Sequence, residues 1–91
     1  MSHRQCMELL EGAEDTLDLL ASTLTYLIHA EMQKDRPNTV LVAEWTALRQ
    51  EAFDVEHSLP GSDVATYQRV LEVYGHHARE LGQLVRQYMY N

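Results

Sequence analysis

Cysteine occurs once, at Cys6, which rules out an intrachain disulfide and every thiolate-cluster metal site. With 2 prolines and 4 glycines in 91 residues, the chain is no low-complexity tail. Cations are scarce as well. Lys plus Arg is 7 against 14 Asp plus Glu, a net charge of −7 with neutral histidines. That disfavours sequence-independent binding to nucleic acid, which depends on Lys and Arg neutralising phosphates, and docking on anionic lipid. Long hydrophobic runs are missing too. The most apolar stretch, Leu17 to Ala30, carries Asp18, Ser22, Thr23, Thr25 and His29, so a membrane span is not expected. The opening Met1-Ser2-His3-Arg4 leads into Gln5, Cys6, Met7 and Glu8 without the apolar core of a signal peptide. A cytoplasmic protein is the expectation.

What is present is a 45% hydrophobic chain of a size that fits one small domain, residues 1–91. A chain this short hides only about 60–65% of its unfolded surface, so its core is thin and self-association is open to it. Two breakers, Pro37-Asn38 and Pro60-Gly61, divide it into three segments. Each segment alternates 3- and 4-residue apolar spacings, the mark of a helix burying one stripe. The first stripe is Cys6, Leu10, Ala13, Leu17, Leu20, Leu24, Leu27; the second is Leu41, Trp45, Leu48, Ala52, Val55, Leu59. The third is Val64, Tyr67, Leu71, Tyr74, Ala78, Leu81, Val85, Tyr88. None of these positions is charged.

End signals agree with the stripes. Ser2 and Gln5 have capping-box spacing, Asn38 or Thr39 caps the second segment, and Ser62 or Asp63 the third. Lys34 and Arg36 sit where a helix C-terminus favours cations, and Pro37 prevents continuation. The spacing predicts helices over 3–34, 39–58 and 63–89. Gly12, Gly75 and Gly82 fall inside them and read as points of close helix packing. Short connectors imply an all-α, antiparallel, up-down-up three-helix bundle with a shorter middle helix.

Lengths then suggest an incomplete bundle. At about 1.5 Å per residue the helices span roughly 48, 30 and 40 Å. Helix 2, folding back, reaches only to about residue 14 of helix 1, and helix 3, starting there, overruns the far end by roughly 10 Å. Cys6, Met7, Leu9 and Leu10 at one end, and Tyr88, Met89 and Tyr90 at the other, are then expected to lack intrachain partners. Exposed contiguous apolar surface marks association. A second stripe of Leu19, Thr23, Tyr26 and Ala30 widens the apolar arc of helix 1, and Phe53, Val70, Val73 and Leu84 widen the other two. The expected assembly is a homodimer.

Charge is uneven along the chain. The balance is −4 over residues 1–36, −3 over 37–61 and 0 over 62–91. On helix 1, Glu8, Glu11, Asp15 and Asp18 follow 3-4-3 spacing and form an acidic ridge opposite the stripe. Such a ridge is an ordinary solvated face, or the steering rim of a site for a basic protein surface. An apolar anchor flanked by charge is the usual anatomy of a protein-binding site. The expected contact residues are Cys6, Met7, Leu9, Leu10, Leu19, Tyr26, Tyr88 and Met89, with Glu8, Glu11, Asp15 and Asp18 as rim.

Other chemistries find less support. Of five histidines, His29, His57 and His76 fall on outward faces of three different helices and His77 on a stripe's border, without the inward Glu-x-x-His pairs of a metal-binding bundle. His76-His77 resembles the exposed histidine of helical phosphotransfer modules. Ala78, Arg79, Glu80, Leu81 and Gly82 depart from the spacing that follows it there, and Glu80 would repel an incoming phosphoryl group. A histidine-based module, phosphotransfer or metal-responsive, is therefore the alternative reading. Acid–base catalysis needs a pocket that separates carboxyl pKa values, and Cys6 lacks a fixed neighbour to make it a thiolate. Phosphate loops and nucleophile elbows are absent from the sequence. A DNA-reading helix-turn-helix needs Arg, Lys, Asn or Gln facing bases, whereas helix 2 turns mostly Glu and Asp outward. No enzyme, cofactor or direct nucleic-acid contact is expected. In gross character the chain resembles small acidic helical proteins of bacteria and phages that act by occupying another protein: antiactivators, antitoxins, nuclease-immunity proteins, anti-CRISPR proteins and secretion chaperones.

Overall fold

The computed structural model describes residues 2–90; Met1 and Asn91, the outermost positions of the expected 1–91 domain, lie outside the described residues. Three helices are present, α1 (His3–Met32), α2 (Thr39–Ser58) and α3 (Val64–Met89), with no strand among the described residues. Each starts at the side chain that its sequence offers. Ser2 Oγ accepts from the Gln5 amide while Gln5 Oε1 accepts from the Ser2 amide, a complete capping box. Asn38 Oδ1 accepts from the Leu41 amide at 3.0 Å and Asp63 Oδ1 from the Thr66 amide at 2.8 Å. Helix α1 stops at Met32, two residues before the expected end, and runs unbroken through Gly12. Gly61 turns the chain after Pro60 with a φ of 85°, a conformation that L side chains rarely adopt.

The apolar stripes become the core. Ala13, Leu17, Leu20, Leu24 and Leu27 of α1 are buried against Trp45 and Ala52 of α2, Leu59, and Tyr67, Val70 and Ala78 of α3. Each fully buried leucine contributes about 1.5–3 kcal/mol of transfer free energy. Arg49 reaches Thr25 Oγ1 at 3.2 Å, and Glu56 lies beside Asp18, so α2 runs antiparallel to α1. Leu71 stands beside Gly12 and Tyr88 beside Glu31, so α3 runs parallel to α1.

The bundle is open. Helix α1 is central and packs on both neighbours, while the α2 and α3 backbones scarcely approach each other. The molecule measures 52 × 23 × 14 Å. A width of 23 Å is what three helices lying nearly side by side give, at about 9 Å between axes plus the Cα cylinder. Large side chains bridge the α2–α3 gap instead, as where Trp45 meets Tyr88 edge-on at 6.4 Å between centroids.

The expected overhang of the long helices is corrected. Leu71 beside Gly12 and Tyr88 beside Glu31 have the same sequence offset to within two residues, which sets the start of α3 near residue 5 of α1 rather than residue 14. The reason lies in Leu59–Asp63. That link does not double back at once but carries the chain further along α1, with Leu59 fully buried and Tyr67 Oη donating to the Ser62 carbonyl at 2.9 Å. Helices α1 and α3 therefore cover nearly the same span.

Candidate protein-contact surfaces

Tyr88 is not an unpartnered tip. Its hydroxyl donates to Glu31 Oε1 at 2.6 Å, and the same carboxylate accepts from Lys34 Nζ at 2.9 Å and the Asn38 amide at 3.1 Å. Lys34 also lies 4.7 Å above the Tyr88 ring. Glu31 is buried, yet these donors, Tyr88 first, hold its carboxyl at about 2, well below the usual range. Burial and the adjacent carboxylate push the Tyr88 phenol up. The network ties the end of α1, the α1–α2 link and the end of α3 together, so Tyr88 serves the fold. One signal was there to find it: the α1 stripe continues from Leu27 by four residues to Glu31, a charged residue at a core position.

The remaining expected contact residues separate into two groups. Cys6, Leu9 and Leu10 are half-buried and pack against the core, so they too have intrachain partners. Met7, Leu19, Tyr26 and Met89 stay exposed, Leu19 by 59% and Tyr26 by 42%. Glu8, Glu11, Asp15 and Asp18 are all exposed, with Arg4 3.3 Å from Glu8. Leu19 lies in a groove between α1 and α3 with Thr16, Gly75, Arg79, Gly82 and Arg86; Glu8 lies in a second hollow between the same helices, with Gln5, Leu9 and Gln68. A Cβ at Gly82 would meet nothing within 4 Å. The expectation that Gly82 marks close packing within the bundle is corrected: it opens the groove.

On the far side of α1, a hollow formed with α2 holds Asp18, Arg49, Phe53 and Glu56. Hydrogen bonding to Asp18, partial burial and the neighbouring Asp18 and Glu14 charges push Glu56 up to about 7.

The gap between α2 and α3 is a third surface, which the sequence did not single out. Val55, Ser58, Thr66, Arg69, Val70, Val73 and Tyr74 line it, with Val70 buried as its floor and Val73 45% exposed. Leu48 stands two turns before Val55, and Leu84 three turns after Val73, both half-buried on the same faces. Burial and the nearby Glu51 carboxylate hold the Tyr74 phenol above its usual value. The channel is thus apolar along Val55, Val70 and Val73, with Glu51 on its α2 flank and Arg69 on its α3 flank.

His76 Nε2 lies 2.9 Å from Glu80 on an exposed face, and His77 is half-buried with its ring 6.2 Å from Tyr74. Among the described residues no group of three or more His, Cys, Asp or Glu is placed to hold a metal ion, and no helix is long and apolar enough to cross a membrane. No family model, curated protein or solved structure matches the chain.

Proposed function

We propose that this chain is a non-enzymatic, protein-binding regulator or inhibitor that occludes a working surface of a partner, as antiactivators, antitoxins and immunity proteins do. The partner class in view is a transcription regulator or a nuclease. The observation that supports it is the open side of the bundle. Helices α2 and α3 hold Val55, Val70, Val73 and Tyr74 along a channel that the chain's own backbone leaves uncovered. Half-buried apolar side chains between two fixed helices form a groove of the kind that takes an amphipathic helix. Glu44 and Glu51 on α2 favour a partner with basic flanks. The exposed face of α1, with Leu19 and Tyr26, is assigned to a homodimer contact, and the acidic ridge to steering.

The test is affinity capture from the source cell with the intact chain and with Val55→Asp/Val73→Asp, both checked for unchanged helicity by circular dichroism. A partner held by the first and released by the second is the expected result. Identical captured proteins would remove the channel as the binding site.

A further inference from the structure

The outer face of α1 and α3 is divided by charge along its length. At the end where both helices begin it presents Glu8, Glu11 and Asp15, all exposed. Towards the other end it presents Arg79 and Arg86, which line the groove beside Leu19. None of these three acids and two arginines forms an ion pair across the α1–α3 groove; Glu8 pairs with Arg4 on its own helix. Exposed Leu19 lies between the acids and Arg86 along this face, with exposed Tyr26 two turns further along α1. A surface that is acidic at one end, basic at the other and apolar in the middle is complementary to itself when turned end over end.

We infer that the occupant of this face is a second copy of the chain, laid antiparallel across it about a two-fold axis near Leu19 and Ala78. This rests on the homodimer reading above and fixes the surface and orientation it uses. Isologous contacts require such self-complementarity. The register follows from the α1–α3 alignment already seen at Gly12–Leu71 and Glu31–Tyr88. With the axis at Leu19, Arg86 of one copy comes level with Glu11 of the other, and Arg79 within about one turn of Asp15. Gly75 then comes level with Gly82 of the second copy, and the open space at Gly82 lets the two α3 backbones draw close. The area suffices. Two-thirds of the 52 × 23 Å face is roughly 800 Å² per copy, the size of a standard stable interface. A parallel arrangement brings Glu8 and Glu11 level with the same end of the second copy, away from Arg79 and Arg86, and loses the pairing.

Sedimentation equilibrium of the full chain tests this with two variants, Glu11→Lys/Asp15→Lys and Arg79→Glu/Arg86→Glu. Each alone is expected to weaken self-association about tenfold or more, because like charges then face each other across the contact. An equimolar mixture is expected to recover association near the wild-type level, since reversed acids meet reversed arginines. Circular dichroism checks that both variants remain helical, and Leu19→Asp, an exposed position, is expected to give monomers with full helicity. A wild-type chain that stays monomeric overturns both this inference and the homodimer reading. A dimer indifferent to both charge variants, or a mixture that fails to recover, overturns the antiparallel α1/α3 contact alone.

Discussion

Replacing Glu31 by Gln removes one negative charge from a buried site with three donors and leaves the side-chain volume nearly unchanged. The carboxyl is held at about 2 against an ordinary 4.5. Hydrogen bonds to a charged group contribute about 1.5–3 kcal/mol, and with Lys34 half exposed at the end of the bundle the expected loss is about 2 kcal/mol. For a domain of this size that lowers Tm by about 8–16 °C. The sign with pH is fixed by the direction of the shift. A depressed folded-state pKa gives stability that is fully present above about 4.5 and is lost as pH falls towards about 2. Urea unfolding followed by circular dichroism at pH 7 and at steps down to pH 2 measures it. The gap between wild type and Glu31→Gln is expected to be about 2 kcal/mol at pH 7 and to close through that window. A gap below about 0.5 kcal/mol at pH 7, or one that persists unchanged at pH 2, refutes the reading of Glu31 as the charged tie between the three helix ends.

Further outcomes follow from single contacts. Tyr88→Phe keeps the ring against Trp45 and loses the hydroxyl on Glu31, costing about 1–2 kcal/mol by urea unfolding. Glu56→Gln has the opposite pH signature. A carboxyl raised to about 7 contributes stability present below about 4.5 and lost as pH rises through about 7, so the variant is expected to gain about 1 kcal/mol at pH 8, discounted for partial exposure, and nothing at pH 4. Asp63→Ala removes the α3 cap and costs about 1 kcal/mol in the same assay. Gly82→Ala, with free space at the Cβ, stabilises the monomer by about 0.5–1 kcal/mol in thermal unfolding of dilute protein.

The three helices were legible because their apolar stripes keep 3- and 4-residue spacing and because Ser2, Asn38 and Asp63 stand at their starts. What the stripes do not encode is the angle between two neighbours of the same helix. Val55 and Tyr74 read as core positions like Leu17 and Leu24, yet they are half-buried, because α2 and α3 lie apart on either side of α1. The supposed bare ends failed for a related reason. Helix lengths alone ignore how far the Leu59–Asp63 link travels, and that distance decides whether Tyr88 overhangs or meets Glu31. Leu9, half-buried against the core, shows the same effect at the other end. Leu19 and Tyr26, read from the sequence as widening the apolar arc of α1, are exposed because their stripe lies outside the arc that two neighbours cover.

The side of the bundle between α2 and α3 is the surface proposed to meet another protein. Photo-cross-linking in the source cell, with a benzophenone side chain placed at Val73 in the channel or at Ala43 on the exposed back of α2, tests it directly. A defined heavier species from position 73 and none from position 43 is the predicted result. Equal labelling from both positions, or labelling from 43 alone, contradicts it.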